Sequence, residues 1–349
     1  MLSFHVLMQD STTLFLTYVK FLMKTRILRV KGYDYIYARD SIYIAHGKTK
    51  QIEKSFGPLK SGIDLSLKKI KFNDFLKNQE IKKRLAYWSK QIVDPKFLEN
   101  IPIEKLETLR SDLYRAKNNM GPMALSLMET GFLVDFIYNS NRLEGSRIPR
   151  TRVEKEVREK TKTKGEVGNT IRALYKIDTK FNFNVKNIVE LHGILMAHEP
   201  EKLGLRKDRV IVGNSEVSPW QEIGERLAEL RKWYEKRKRT MYPPELAFEF
   251  YYKFERIHPF QDGNGRTGRL IMNRILRENK YHPIIISWKR RQAQENAFAK
   301  RMEGQKEHFY NFMKEEFVKT HKIFIEKIDS ALNVEKLSKV FMQPSHEYE

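Results

Sequence analysis

One stretch in the C-terminal half concentrates residue types that can act on phosphates. Its twelve residues read HPFQDGNGRTGR from His258 to Arg269. The glycines let backbone N–H groups turn toward one point, and the helix expected to follow directs its positive N-terminus there, which makes an anion-binding nest. Arg266 and Arg269 are spaced i, i+3, so both face one side of that helix and can hold further phosphates.

Two more side chains give this loop the groups that nucleotide chemistry needs. Asp262 lies beside the nest, where one carboxylate together with phosphate oxygens suits Mg²⁺. His258 enters the loop from the preceding helical run and is the near-neutral base there. The set favours attack of a hydroxyl on a phosphate, a reaction that depends on positioning, charge neutralisation and a base.

A competing pattern overlaps the same residues. Gly263 to Gly268 fits the G-x-G-x-x-G pattern of dinucleotide binding, which needs a strand before it and an acidic residue about 20 positions later. Here a helical run that includes Phe254 and Ile257 precedes the glycines, and residues 281–294 hold no acidic side chain. The dinucleotide-binding interpretation is therefore excluded.

The stretch resembles the motif of the Fic family, H-x-F-x-[DE]-G-N-G-R-x-x-R, and matches it at every fixed position. The resemblance implies that His258 is the general base and that Asp262 is the Mg²⁺ ligand. It also assigns the phosphates of ATP to the remaining positions: Gly263, Asn264 and Gly265 cradle the α- and β-phosphates, Arg266 holds the β-phosphate and Arg269 holds the γ-phosphate.

Two further loop residues take roles from the same resemblance. Phe260 is implied to be a packing anchor inside the loop and not a chemical group. Gly265 favours transfer of AMP over transfer of phosphate, because related kinase-like toxins have lysine at this position and bind ATP in reverse.

A second motif lies upstream, at the end of the helix that Pro122 begins. It reads SNRLEG from Ser140 to Gly145. From its residues alone it is an ordinary helix end capped by glycine. The string also resembles the inhibitory motif [ST]-x-x-x-E-[GN] of one class of Fic proteins. That resemblance implies that Glu144 pairs with Arg269 and occupies the room that the γ-phosphate needs.

An alternating β run interrupts the helical part of the chain. It comprises Val210, Ile211, Val212 and Gly213 and leads into an Asn turn before Pro219, which predicts a hairpin. The run is either a simple connection or resembles the Fic flap, a hairpin that holds the target segment against the active site by strand pairing.

The composition bounds the class of protein. The 349 residues are 40% hydrophobic, which is enough to fill a core, and the absence of cysteine excludes disulfides, thiolate catalysis and Cys-ligated zinc. The formal charge of +22 attracts ATP, acidic proteins and nucleic acid alike. No nucleic-acid motif accompanies the charge, so we interpret it first as a solubility and steering feature.

Residues 1–24 are apolar in patches that charged side chains interrupt, so they fall short of a membrane span. They lack the basic start and the small-residue cleavage site of a signal peptide. We expect a helix lying on the protein, no membrane partner and a cytoplasmic location. Met23 is a possible alternative start of translation, because a strand pattern follows it.

Periodicity predicts a mainly α fold with a small N-terminal antiparallel β-meander, and the family resemblance implies that the helices form a Fic helical core with a flap β-hairpin. Helical spacing recurs at 106–117, from 122 onward, and at 167–176, 185–197, 219–239, 244–257, 266–279 and 291–319. The expected order is an N-terminal extension (1–24), the β-meander (25–60), a helical linker region (61–120), the Fic domain (121–320) and a C-terminal tail (321–349).

These inferences predict a protein adenylyltransferase that moves AMP from Mg-ATP to a Ser, Thr or Tyr hydroxyl of an unknown protein and is inhibited by Glu144. Removal of AMP from a modified protein, or both activities together, is the alternative among enzymes. The alternative of another class is a basic, nucleic-acid-binding regulator that uses the site as a nucleotide sensor.

Overall fold

The computed structural model describes residues 24–58, 65–118, 120–159, 164–179, 181–212 and 215–341. The fold is mainly helical, with one three-stranded antiparallel sheet and one two-stranded antiparallel hairpin among these residues. The fold class predicted from periodicity is therefore confirmed. The helix expected at residues 1–24 falls almost wholly outside the described residues, and its last residue begins the first strand.

The N-terminal sheet is a meander of three strands in sequence order: β1 (Lys24–Val30), β2 (Tyr33–Ala45) and β3 (Lys48–Pro58). Gly32 and Gly47 lie in the two turns with left-handed φ angles of 82° and 69°, which glycine adopts without a Cβ penalty. Alternate side chains of the sheet are buried against a helix, as period-two geometry requires. These buried residues are Ile36, Ala38, Ile42 and Ile52.

Eleven α-helices follow among the described residues. They are α1 (Leu65–Trp88), α2 (Ile103–Asn118), α3 (Pro122–Leu143), α4 (Arg150–Glu159), α5 (Glu166–Asp178), α6 (Val185–Leu195), α7 (Ile223–Arg237), α8 (Pro243–Ile257), α9 (Asn264–Glu278), α10 (Arg291–Met302) and α11 (Lys306–Phe341). A hairpin of β4 (Ile211–Val212) and β5 (Ser215–Glu216) lies between α6 and α7.

Helix α1 joins the meander to the helical body. Its buried stripe recurs every fourth residue, at Phe72, Leu76, Glu80, Arg84 and Trp88. The first two pack under the sheet, and the indole N–H of Trp88 donates to the carbonyl of Ile44 (3.2 Å). Within the helical linker region expected at 61–120, helix α1 therefore packs against the meander at one end and against the helical body at the other.

The centre of the helical body is the pair α8 and α9, which enclose the loop 258–263. Both helices are buried along most of their length because they are surrounded by α3, α5, α6, α7 and α11. The two approach closely at Gly268, where an added Cβ would lie 2.9 Å from the Tyr251 ring. A glycine is therefore needed there for packing.

Three helical features differ from the sequence prediction. The single helix predicted at 291–319 is two, because Gly304, with a φ of 91°, ends α10 in a left-handed cap before α11 begins. Helix α11 continues to Phe341, so the start expected for a C-terminal tail lies inside a helix. Helix α4 was not predicted, because charged residues make up most of its sequence.

Within the part of the chain that the structure describes, no helix combines the length and the apolar character that a membrane crossing requires.

Candidate functional site

The loop predicted to bind phosphate begins where α8 ends. His258 is the C-terminal cap of α8, with a left-handed φ of 49°, and its backbone N–H donates to the Phe254 carbonyl (3.0 Å). A non-glycine residue in this region is strained, and such strain concentrates at functional sites. Gly263, with a φ of 76°, caps the start of α9. Both ends of the loop are thus set by left-handed residues.

The side chain of Asn264 closes the loop on itself. Its Oδ1 accepts from the Phe260 N–H (2.9 Å), and its Nδ2 donates to the Phe260 carbonyl (2.8 Å). Phe260 is fully buried and stacks on the ring of His192 at 3.6 Å, as a packing anchor would. The amide of Asn264 is therefore used by the loop. What remains for a ligand is backbone N–H, because the first N–H groups of a helix lack partners inside it.

Two glycines leave room that a side chain would fill. A Cβ at Gly263 would lie 2.9 Å from Met196 Sδ. A Cβ at Gly265 would overlap Glu144 Oε1 and lie 2.8 Å from Arg269 Nη1. Gly265 thus allows the carboxylate of Glu144 to lie directly against the start of α9.

Asp262 and Arg266 form one charged group in front of the nest. Arg266 Nη2 lies 3.1 Å from Asp262 Oδ1, and its Nη1 lies 3.5 Å from Glu166 Oε1. Lys202 Nζ lies 3.1 Å from Asp262 Oδ2. Burial raises the pKa of Asp262, but Arg266, the Gly263 N–H and Lys202 outweigh it and hold that pKa below its ordinary value. Asp262 is therefore ionised at neutral pH.

Arg266 also has an unused donor. It is buried, and among the described residues its Nε has no hydrogen-bond partner. A buried donor without a partner is costly, which marks a place for an anionic acceptor.

Arg269, by contrast, is fully engaged by α3. Its Nε donates to Ser140 Oγ (3.0 Å), and its Nη2 donates to the Ser140 carbonyl (2.8 Å) and to Glu144 Oε1 (2.7 Å). Burial lowers the pKa of Arg269, but Glu144 and Tyr251 raise it above the ordinary value, so the guanidinium stays charged. Ser140, Glu144 and Arg269 are thus brought together across 125 residues of sequence.

His258 is set up as a neutral base. Burial, followed by the charge of Arg206, lowers its pKa to about 4, although Glu144, the Glu255 carbonyl and Asp262 oppose the shift. At pH 7 the ring is therefore uncharged and can accept a proton. The carboxylates of Glu144 and Asp262 lie close enough to the ring to affect its pKa.

The hairpin predicted as a flap lies beside this loop. Ile211 pairs with Glu216 and Val212 with Ser215, and the Ile211 side chain is exposed. Val210 immediately precedes the first strand, and Gly213 lies outside the described residues.

Buried Arg206 joins the loop to the segments on either side of this hairpin, and sequence reasoning missed it. Its side chain donates to the carbonyls of His258 (2.7 Å), Asp208 (2.7 Å) and Ser218. Its backbone N–H donates to the Pro259 carbonyl (2.9 Å). An arginine in a polar loop gives no sequence signal of burial, since arginine is mostly exposed. Glu166, Lys202 and Glu255 were also missed, because their contacts with Arg266, Asp262 and His258 form only in the folded chain.

Three histidines outside the loop make hydrogen bonds within the fold. The His192 ring nitrogen Nε2 lies 2.9 Å from the Asp262 carbonyl, and His198 Nδ1 lies 3.0 Å from Asn169 Nδ2. His282 is bonded to the Pro283 carbonyl (2.7 Å) and packs against Phe132.

The donor set fits Mg²⁺ only in company with phosphates. No cluster of three or more His, Cys, Asp or Glu side chains suited to a metal occurs among the described residues. Asp262 offers an ionised carboxylate beside the helix N-terminus. Mg²⁺ is commonly held by one or two carboxylates together with substrate phosphates, so a single carboxylate next to an anion nest is sufficient.

Comparison with known proteins agrees with this geometry. Residues 182–276 match the model of the Fic/DOC family, which confirms the resemblance read from the loop. The protein adenylyltransferase Fic of Nematostella vectensis is 27% identical over 222 residues, 59% of this chain and 52% of the relative. The protein of the same name from Drosophila melanogaster is 27% identical over 203 residues, 54% of this chain and 41% of the relative.

A solved structure shares the fold. The Fic domain containing signaling protein from Bacteroides thetaiotaomicron superposes with a TM-score of 0.56 at 22% identity, over 65% of this chain and 97% of that one. The chain spans about half the length of the first curated relative, 52%, and the Ser140–Glu144 segment lies outside the family match at 182–276.

Proposed function

We propose that this chain, whose residues 182–276 match the Fic/DOC family, is a protein adenylyltransferase that transfers AMP from Mg-ATP to a protein hydroxyl. The observation that carries the proposal is the composition of the α8–α9 loop. One short turn contains a neutral, partly buried histidine, an ionised carboxylate and a buried arginine at the N-terminus of α9. The names of the curated relatives point to the same activity.

The proposed reaction is an in-line displacement at the α-phosphorus. The oxygen of a Ser, Thr or Tyr hydroxyl forms a bond to that phosphorus, and the bond from it to the bridging oxygen of the β-phosphate breaks. His258 accepts the hydroxyl proton, and pyrophosphate leaves. The low pKa of His258 keeps the ring uncharged before attack, so one ring nitrogen can accept a proton. The backbone N–H groups at the start of α9 bind the α- and β-phosphates, and the unused Nε of Arg266 provides a further donor.

Asp262 is the proposed Mg²⁺ ligand. When bound, Mg²⁺ would neutralise charge that develops on the phosphates. Lys202 lies against the same carboxylate, so it must move aside or share Asp262 with the cation. Among the described residues, this is the one acidic side chain of the loop itself.

Glu144 is the proposed inhibitor. A carboxylate and a phosphate compete for the same guanidinium, and Arg269 is already engaged by Glu144 and Ser140. A γ-phosphate cannot reach Arg269 until Glu144 leaves. The resting enzyme would therefore hold ATP with its γ-phosphate misplaced and transfer AMP slowly.

The hairpin of β4 and β5 is the proposed docking edge for the target. It is tied through Arg206 to the carbonyl of the catalytic histidine, so a segment paired with it would lie beside His258. Charge supports an acidic target segment, given the net charge of +22.

Removal of AMP from a modified protein is the alternative. The observation that favours it is the same carboxylate, because Glu144 lies against Gly265 at the nest and could orient a water. Both reactions use His258 and the α9 N-terminus, and a labelling experiment separates them.

The test is incubation of the protein with α-labelled or γ-labelled ATP, Mg²⁺ and lysate. We expect protein-bound label from the α position only, and its loss in His258→Ala, by roughly 10²–10⁴ in rate. His198→Ala is the matched control, because this neighbouring histidine is bonded to Asn169 outside the loop. Label from the γ position would refute adenylylation. Release of AMP from pre-labelled protein without new labelling would favour the alternative.

A further inference from the structure

A buried carboxyl group faces the back of the catalytic histidine. Glu255 lies one helical turn before His258 on α8, and its side chain is 16% exposed. Its Oε2 is 3.9 Å from His258 Nδ1, too long for a hydrogen bond but within reach of a small rotation. Among the described residues, Glu255 Oε1 is buried without a hydrogen-bond partner, and His258 Nδ1 is buried without a well-aligned one, although the nearby Glu255 carbonyl opposes the fall in the pKa of the ring.

Each of these two groups can serve as a hydrogen-bond partner for the other. A neutral imidazole has one donor and one acceptor nitrogen, and a carboxyl group is either a donor or an acceptor according to its protonation. Hydrogen bonds between catalytic groups are often long before substrate binds and shorten in the complex. The pair is therefore arranged for a hydrogen bond that has not yet closed.

Gly268 on α9 has no side chain and therefore leaves space for the Glu255 carboxyl group. A Cβ at Gly268 would lie 3.0 Å from Glu255 Oε1. The charged and titratable groups that influence Glu255 come from three helices: Glu144 at the end of α3, Arg269 on α9, and Tyr251 and His258 on α8 itself. From the loop before the hairpin, Arg206 acts on the other side of His258.

We propose that Glu255 is a positioning residue that selects which ring nitrogen of His258 is free to act as the base. The proposal rests on the proposed function and deepens it. When Glu255 is ionised, it accepts the Nδ1–H, and the Nε2 lone pair is left to take the hydroxyl proton. When Glu255 is protonated, its O–H donates to Nδ1, the ring proton moves to Nε2, and the base is blocked.

The protonation state of Glu255 changes around pH 8. Burial, followed by the negative charge of Glu144, raises its pKa to about 8, and Arg269 opposes the rise. Below pH 8 the blocked form dominates, and above it the competent form does. Because Glu144 contributes to the rise, displacement of Glu144 favours ionisation of Glu255. The proposed inhibitor would then act on the base as well as on Arg269.

The direct test is ¹⁵N NMR of the histidine side chains in the intact protein without ATP, with His258→Ala used only to assign the resonances. We expect Nδ1 of His258 to change from an unprotonated to a protonated nitrogen between pH 6.5 and 9, around the Glu255 pKa of about 8. Glu255→Gln should abolish this change. A tautomer that is the same at every pH, held at Nδ1 by the Glu255 backbone carbonyl, would overturn the proposal.

The matched control is Glu245→Gln. Glu245 is on the same helix and is also buried with its pKa raised, in its case to about 7, but its carboxylate accepts from the backbone N–H groups of Val93 and Asp94. This variant should keep the tautomer change of His258. Its loss in both variants would assign the effect to the packing of α8 and overturn the proposal.

Kinetics provide the second measurement. In Glu255→Gln, kcat for AMP transfer at pH 8.5 should fall by roughly 10²-fold, with KM for ATP little changed, and the rise of kcat with pH should disappear. Glu255→Asp should restore part of the rise. An unaltered pH profile would overturn the proposal. If no AMP transfer occurs at all, the proposed function fails, whereas the NMR result still decides the role of Glu255.

Discussion

The two arginines of the loop differ in what the protein leaves them to do. Arg266 has a buried Nε without a partner among the described residues, whereas Arg269 is held by the side chain and carbonyl of Ser140 and by Glu144. Arg266 therefore has a donor available for an anion, whereas Arg269 is already hydrogen-bonded. Under the proposed function, the resting site would accept the inner phosphates of a nucleotide and exclude the outermost one.

Removal of Glu144 should release that restriction. In Glu144→Gly we expect auto-modification to rise by about tenfold or more, which corresponds to about 1.4 kcal/mol in the barrier. The physical reason is that Arg269 exchanges one carboxylate for the γ-phosphate. The measurement compares initial rates of wild type and variant with α-labelled ATP.

The double variant Glu144→Gly with Arg269→Ala separates release of Arg269 from other effects. It should show no gain, because Glu144 acts through this arginine, and the two changes should be non-additive. Glu129→Gln on the same helix is the control, since Glu129 pairs with Lys117 away from the loop. No increase in Glu144→Gly on any hydroxyl substrate would contradict the inhibitory role.

At the scale of elements, the site depends on how the α8–α9 loop and the hairpin are joined. The guanidinium of Arg206 donates to carbonyls of the loop and of the segments that flank the hairpin, and burial lowers its pKa. Charge-assisted bonds to carbonyls are stronger than neutral ones, so this arginine is a rigid joint.

Arg206→Ala should therefore loosen hairpin and loop together. Loss of the donors leaves several carbonyls unpaired, and each such group costs about 1–3 kcal/mol if it stays buried. We expect a lower Tm and faster proteolysis within residues 208–218. Lys207→Ala, an exposed neighbour, should change neither. Unchanged protection of the hairpin in Arg206→Ala would show that other contacts hold it.

What the sequence could predict at this scale depended on periodicity. The helices on both sides of the loop and the hairpin at Val210 were predicted because apolar residues recur at helical or strand spacing. Helix α1 lies in the helical linker region predicted at 61–120, but periodicity gave it no bounds of its own, because two of its five buried stripe positions are Glu80 and Arg84. Charged residues at buried positions interrupt the apolar pattern by which a helix is recognised in a sequence.

The residues of the site also divide into those that the sequence could predict and those that it could not. The residues within 258–269 could be grouped from local spacing, since one turn contains them all. The pairing of Glu144 with Arg269 was predicted through a family resemblance alone, because no local rule links positions 125 residues apart. Arg206 and Glu255 gave no signal, since their burial is a property of the folded packing.

Across the whole molecule, a buried polar network joins the meander to the helices. Arg84 pairs with Glu107 and donates to the Ile44 carbonyl (2.7 Å) and to the Tyr281 hydroxyl (2.8 Å). Burial raises the pKa of Glu107, but Arg84 and Arg110 outweigh it and lower that pKa to about 2. Strand β2, helices α1 and α2 and the segment after α9 are therefore held by one ionised cluster, which fixes the meander to the body that contains the site.

Buried titratable groups make the stability of the whole fold depend on pH in two opposed ways. Buried histidines resist protonation, so the unfolded chain takes up protons near pH 6.5 that the fold does not accept until lower pH, and stability falls as the solution is acidified below 6.5. The histidines whose pKa is lowered mainly by burial are His192, His258, His282 and His321.

The carboxyl groups of Glu245 and Glu255 act in the other direction. Their pKa values are raised, mainly by burial, to about 7 and 8, so the fold keeps protons that the unfolded chain releases near pH 4.5, and stability falls as pH rises toward 8. The histidines outnumber them below pH 6.5. We expect the free energy of unfolding in urea to peak near pH 6.5 and to be lower by about 1 kcal/mol or more at pH 5 and at pH 8.

The variant Glu255→Gln should flatten the alkaline side of this curve and leave the acid side in place. A steady rise in stability from pH 5 to pH 8 would contradict the assignment of protonated carboxyl groups to α8.

The contact between Gly265 and Glu144 has a consequence for how such sites can diverge. Any side chain at position 265 would overlap the carboxylate of Glu144, so the two positions share one volume. A descendant that gains a larger residue at 265 loses the room for glutamate at 144, and that carboxylate then has no reason to be retained. Covariation between positions 144 and 265 should therefore be visible in an alignment of relatives, with glutamate at the first accompanied by glycine at the second.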